Sequence, residues 1–205
     1  MGEEAKKSWA VVFTIGHSNH EPGVFVELLR RHGVEVLVDV RSSPYSKYAS
    51  QFNHDSLKAV LNRAGIKHAY MGRELGGMPE GAEFYDGEGY VLYGRLAALG
   101  TFQEGIGRVI DGAGRVRMAL MCSEEDPGGC HRRLLLARVL RERGVEVRHI
   151  RGDGSVQSEE ELEAEEKSRQ KDAGQGMLFD MGQVKEWKSI QSVLPRKQPP
   201  SSSER

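Results

Sequence analysis

Two cysteines, a histidine and two arginines crowd into one segment that runs from Cys122 to Cys130-His131-Arg132-Arg133, with Pro127-Gly128-Gly129 between the thiols. The Pro-Gly-Gly turn places Cys130 and His131 at the N-terminus of the helix that follows, where unpaired N–H groups and the positive dipole end favour an anion. A thiol there tends to a lowered pKa, and the neighbouring His131 and Arg132 add to the effect. Cys130 is therefore a candidate nucleophile, with Cys122 expected to be shielded at a strand end. Gly128, Gly129, His131 and Arg132 are candidate ligand donors, and Glu124 a candidate proton carrier. The bland reading makes both cysteines packing residues and His131 a cap. A phosphatase-type loop fails, because the position that needs arginine relative to Cys122 is Gly128. Zinc held by Cys122, Cys130, His131 and His17 is disfavoured, since the cysteines are eight apart rather than in a C-x-x-C knuckle. Neither metal nor cofactor is expected. A Cys122–Cys130 disulfide would be a redox device.

Two more apolar runs end on reactive residues. Val11 to Ile15 leads into Gly16-His17-Ser18-Asn19, and Val36 to Val40 carries Asp39 into Arg41-Ser42-Ser43-Pro44. His17 and Asp39 are candidates for proton transfer, and Ser18, Arg41 and Ser42 for ligand binding. Asp39 and Arg41 also read as a structural ion pair. Tyr45, Tyr48, His54, Tyr70 and Glu74 are candidates for a rim. In open α/β sheets ligands bind outside the carboxyl ends of the strands, so the polar clusters should converge in one crevice.

The elements that would hold them alternate. Pro22-Gly23 opens a helix that Gly33 ends, Asn53 caps a second that Gly65 ends, and a short strand follows around Ile66 to Tyr70. Met71 to Gly89 is glycine-rich and irregular. Helical spacing returns near Tyr90 to Leu99 and Phe102 to Ile110. Then come a strand over Arg115 to Cys122, a helix from His131 to Arg143 and a strand over Val145 to Ile150. The expected fold is a single α/β domain over 10–151, a mainly parallel sheet with helices on both faces, after a flexible N-terminus at 1–9. Residues 152–205 form a charged C-terminal extension. Within it Ser158 to Asp172 reads as a solvated linker or loose helix, 176–181 as an apolar docking segment, and Pro195 to Arg205 as disordered.

With 205 residues and a net charge of −1, the chain can bury one sizeable core and carries no global field that recommends nucleic acid or an anionic membrane. Two cysteines and the lack of an apolar leader after Met1 point to a cytoplasmic protein. No run is long enough to span a membrane.

The segments Thr14-Ile15-Gly16-His17-Ser18, Leu37 to Pro44, Glu74-Leu75-Gly76-Gly77, Met121-Cys122-Ser123-Glu124 through Cys130-His131-Arg132-Arg133, and Val147 to Ile150 closely resemble the family called domain of unknown function 488. The resemblance covers about Val11 to Ile150 and implies a compact α/β domain without implying an activity. Its motif positions fall on His17, Ser18, Asp39, Arg41, Ser42, Pro44, Gly76, Cys122, Glu124, Cys130, His131 and Arg132. The Asp39-Val40-Arg41 run is also similar to one in rhodanese-type sulfurtransferases, which carry a different cysteine loop.

The residues favour an enzyme acting on a phosphate-bearing small molecule, a nucleotide or a nucleic-acid end in an anion-binding crevice. The alternative is a non-catalytic ligand-binding or adaptor module, with partner contact or self-association through the C-terminal segment. Thiol-based sulfurtransferase-like or redox activity is a further alternative.

Overall fold

Side-chain alternation decides which way each strand faces. In the computed structural model, which describes residues 10–172 and 186–193, β1 (Val11–Gly16) sends Val12 into one apolar cluster and Phe13 and Ile15 into the other. The helix α1 (Pro22–Arg31) starts at Pro22 and packs Phe25, Leu28 and Leu29 on the second cluster, and β2 (Val36–Asp39) divides Val38 from Leu37 in the same way. Next come α2 (His54–Arg63), which buries Leu57 and Leu61, and β3 (Lys67–Tyr70). Then α3 (Gly72–Leu75), β4 (Tyr90–Leu92), α4 (Tyr93–Ala97) and α5 (Gly100–Ala113) precede β5 (Met118–Cys122). Strands with both faces buried read as continuous apolar runs, the mark of a parallel sheet covered on each side.

A π-helical stretch, Arg132–Ala137, runs into α6 (Arg138–Glu142) and then β6 (Glu146–Ile150). The sheet order is β3-β2-β5-β1-β6 with all these neighbours parallel, and the short β7 (Val156–Ser158) adds antiparallel to β6 at the edge. The layers are as expected: α1 and α2 cover one face, while α5 and the Arg132–Glu142 helix cover the other. The register pairs Gly16 with Cys122 and Asp39 with Met121, so the carboxyl ends of β1, β2 and β5 stop level with one another.

The extension departs from expectation in two places. Ser158 to Asp172, read as a solvated linker or loose helix, contains the regular helix α7 (Glu159–Asp172), with Leu162 and Glu159 buried against the domain. Counting only apolar residues misses what docks it. Arg133 donates to Glu159 and Glu166, Arg141 to Glu160, and the buried His149 bridges Thr14 to Glu159. Burial works against the charge on Glu159, yet the hydrogen bond from His149 and the guanidinium of Arg133 hold its carboxyl below the usual range. The second departure is β8 (Lys188–Ser192), which pairs antiparallel with β4 and is anchored by Trp187, whose indole N–H donates to the Leu134 carbonyl at 2.9 Å. It also replaces part of the helix expected over Tyr90 to Leu99, because β4 pairs with it. The segments 1–9, 176–181 and 195–205 lie outside the described residues.

Leu162→Ala should cost about 2–5 kcal/mol if α7 is docked through that side chain. Chemical denaturation checks this; a loss under about 0.5 kcal/mol, the usual size for a surface site, would mean a solvated helix.

Candidate functional site

Gly16 ends β1 where nothing larger fits: a Cβ there would lie 1.7 Å from the carbonyl oxygen of Glu124. This close approach lets the loop after β1 continue the ladder, His17 N–H donating to the Cys122 carbonyl and Ser18 N–H to that of Ser123, each at 2.9 Å. Ser18 takes a left-handed backbone, φ 45°, to make that turn. The imidazole of His17 is buried and stacked on Phe52. Its Nδ1–H donates to the Ser18 carbonyl, leaving Nε2 to accept from Arg41 at 3.1 Å. Burial pushes His17 down from an ordinary 6.5 to about 4, so it is a neutral bracket for the guanidinium.

Arg41 is the hub of this bracket. Its Nε and Nη2 grip both oxygens of the fully buried Asp39 at 2.9 and 2.7 Å, and Nη2 also donates to the Phe52 carbonyl at 2.8 Å. Of the five guanidinium N–H groups, one on Nη1 is without a protein partner among the described residues. Asp39 and Arg41 thus form the structural pair that their spacing suggested, with Arg41 still touching the cleft.

The loop from Cys122 to Cys130 is fastened from both sides. Arg132 has no exposed surface, and its guanidinium donates to the backbone carbonyls of Glu124 and Glu125. From the other side the Glu125 carboxylate accepts from Arg151 through both oxygens, at 3.0 Å each, and from Gly152 N–H. At the tip, Asp126 accepts from Gly128 N–H, and Cys130 N–H donates to the Pro127 carbonyl. Cys130 and His131 are thereby delivered back to the end of β5, just ahead of the π-helical stretch. Such stretches recur at functional sites.

His131 then acquires a defined orientation. Its Nε2 lies 3.2 Å from the Val40 carbonyl, which can only accept, so the proton is on Nε2 and the Nδ1 lone pair faces the thiols. Nδ1 is 3.5 Å from Cys122 Sγ and 3.9 Å from Cys130 Sγ. Gly77 makes room for the ring, since a Cβ there would come within 2.4 Å of it. The acidities fall opposite to the order that the helix position suggested. A hydrogen bond from Cys130 pulls the Cys122 thiol down, and Arg132 and the Ser123 N–H help against desolvation. The same bond, together with burial, pushes Cys130 well up.

The cleft over these groups has a volume of about 200 Å³. Of the residues singled out from the sequence, Arg41, Ser42, Glu124, Gly129, Cys130 and His131 line it. His17, Ser18, Asp39, Gly128 and Arg132 do not; they build its frame. The rim candidates Tyr45, Tyr48, His54, Tyr70 and Glu74 do not line it; Tyr45 and Tyr48 are exposed, and the Tyr70 O–H donates to the carbonyl of Ser42, which does line it. Sequence reasoning missed Tyr93, whose phenol burial pushes up, and the wall of Ser189, Gln191 and Val193 supplied by the returning β8 segment. Cys122, read as shielded at a strand end, is buried there and also borders the cleft. A tyrosine one residue past a short strand carries no local signal, and neither does a five-residue strand in a charged tail.

Fold and site define an α/β protein with a thiol-bearing cleft at the carboxyl ends of parallel strands. The chain matches the family described as Domain of unknown function DUF488 over residues 22–139, more than half of its length, and belongs to that family. No curated protein and no solved structure matches it. Among the described residues no helix is long and apolar enough to cross a membrane.

Arg41→Ala strands Asp39 as a buried unpaired charge and should cost about 3–5 kcal/mol, the size expected for breaking a buried pair. The double variant with Asp39→Asn should lose clearly less than the sum of the single losses. Strictly additive losses in denaturant titrations would contradict the pairing. His17 gives a pH prediction. Its folded value lies below its ordinary one, so between about 6.5 and 4 the unfolded chain binds more protons. Stability is full above that window and falls as acid is added through it. His17→Gln keeps an acceptor for Arg41 and should flatten this part of the stability profile; an unchanged slope would exclude His17 as its source.

Proposed function

We propose that the chain is an enzyme that transforms a small polar molecule in this cleft through a thiol–imidazole centre, with Cys122 as nucleophile and His131 as its proton acceptor. One observation carries the reading: the Nδ1 lone pair of His131, oriented by the Val40 carbonyl, faces Cys122 Sγ at 3.5 Å inside a cleft. A nucleophile within reach of a base that a third group orients is the arrangement covalent catalysis uses. In the reaction the Cys122 proton passes to His131 Nδ1 and the sulfur bonds to the electrophilic carbon or sulfur of the substrate. The leaving group departs with that proton, and water or an acceptor thiol then releases the transferred group. Acyl transfer and sulfur transfer both fit this sequence.

A phosphate-bearing ligand is the second reading, supported by Arg41 on the cleft wall and by the Gly128-Gly129 turn before the helix. It ranks lower because Arg132 has no exposed surface and turns its guanidinium to the Glu124 and Glu125 carbonyls, while Arg41 offers one N–H at most. The volume favours a small molecule over a nucleic-acid end. A cytoplasmic setting belongs to the proposal, since two neighbouring free thiols suit a reducing compartment.

The test is a turnover panel of thioesters, activated esters, persulfides and phosphate esters on the full chain under reducing conditions. Cys122→Ser should lower turnover of the accepted thioester, ester or persulfide at least about a hundredfold, with Val24→Ala, at an exposed position of α1 outside the cleft, as control. Turnover of phosphate esters alone, undiminished in Cys122→Ser, would put the second reading ahead. Binding without any turnover would leave the ligand-binding module.

A further inference from the structure

The donor atoms at the end of β5 have a geometry that the mechanism above does not require. Cys122 Sγ, Cys130 Sγ and His131 Nδ1 all lie within 4.8 Å of one another. A tetrahedral ion with metal–sulfur bonds of about 2.3 Å and a metal–nitrogen bond of about 2.0–2.1 Å sets its sulfur and nitrogen ligands about 3.5–3.6 Å apart. The two S···N separations here are 3.5 and 3.9 Å. The two sulfurs lie within 4.8 Å of each other, and a tetrahedral ion would hold them about 3.8 Å apart.

The surroundings favour an ion in other ways. A metal-binding histidine usually donates its second ring N–H to a carbonyl or carboxylate, which fixes the tautomer and aims the lone pair. His131 does this to Val40. The eight-residue gap that spoke against a zinc knuckle is closed by the fold, since Arg132 and Arg151 hold the intervening loop and bring Cys130 back to Cys122. Both sulfurs are buried, so a pair of thiolates there is costly without a cation. A divalent ion cancels both charges. Sulfur and imidazole donors select thiophilic transition ions and reject magnesium or calcium. The group has three members among the described residues, and the cleft borders all of them. Three protein ligands with a free position facing a cavity make an open site rather than a closed structural one.

We propose that Cys122, Cys130 and His131 bind a thiophilic divalent ion of the zinc class, with the fourth coordination position open to the cleft, so that the centre has a free-thiol form and a metal-capped form. The inference rests on the reading of this cleft as the reaction centre. Binding releases the two thiol protons to solvent and occupies the Nδ1 lone pair, so the capped form cannot perform the Cys122–His131 proton transfer. Metal therefore switches the thiol reaction off.

The experiment titrates the reduced, metal-free full chain with Co²⁺, a coloured stand-in for Zn²⁺. The expected result is one equivalent bound, sulfur-to-metal charge-transfer absorption, and displacement by Zn²⁺. Cys122→Ser, Cys130→Ser and His131→Ala should each weaken binding at least about tenfold. As a check that needs no variant, Zn²⁺ should protect both thiols of the unaltered chain from iodoacetamide, and a chelator should restore labelling. Absence of the charge-transfer band with labelling indifferent to Zn²⁺ overturns the inference. So does binding that all three substitutions leave intact. In either case thiol-dependent turnover, if present, still stands. Conversely, one equivalent bound at the triad with no turnover by the metal-free chain supports the metal site and overturns the thiol-enzyme reading.

Discussion

Arg132 carries its guanidinium fully into the interior to hold the backbone carbonyls of Glu124 and Glu125, and the shape of the site depends on that bond pair. A buried guanidinium needs its donors satisfied, and carbonyls of an irregular loop need donors equally. Arg132 meets the loop's need with two donors, while its own Nε is left without a partner among the described residues. The loop is thereby drawn against Gly16, the only residue type that leaves space for the Glu124 carbonyl. With the loop so fixed, Cys130 and His131 return to the point where β5 ends, and thiols eight residues apart become neighbours. The positive charge also lies near Cys122, and contributes to drawing its thiol down.

A second bracket stands on the adjoining strands. Asp39 is buried at the end of β2 and is paired through both oxygens with Arg41, which His17 and the Phe52 carbonyl hold from the other side. This network keeps the ends of β1 and β2 at a set distance and carries the Val40 carbonyl, which in turn orients His131. Polar residues that look catalytic in sequence therefore act largely as framework. What they position is a small group of atoms: two sulfurs and one nitrogen under a cleft.

Much of this was legible beforehand. The runs Val11 to Ile15, Val36 to Val40 and Val116 to Met121 show their strands because a parallel sheet buries both faces, and the polar residues after each run mark the crevice. The resemblance of the chain to its family pointed to the same residues. Roles were less legible than positions. An arginine after a Gly-Gly turn reads as an anion donor, yet burial turned Arg132 inward. A cysteine at a helix start reads as the acidic one, yet both thiols are buried and share a hydrogen bond that favours Cys122. Contacts distant in sequence are the part local patterns do not contain. The docking of α7 through Arg133 and the closing of the cleft by the β8 segment both join residues far apart in the chain.

The account turns on which nitrogen of His131 holds the proton. Nitrogen-15 NMR of the imidazole in the reduced, metal-free chain reads this directly. The account predicts the neutral Nε2–H tautomer, with Nδ1 unprotonated and its resonance shifting when Cys122 is alkylated. A proton resident on Nδ1, or an Nδ1 resonance indifferent to Cys122 modification, would contradict the thiol–imidazole centre itself.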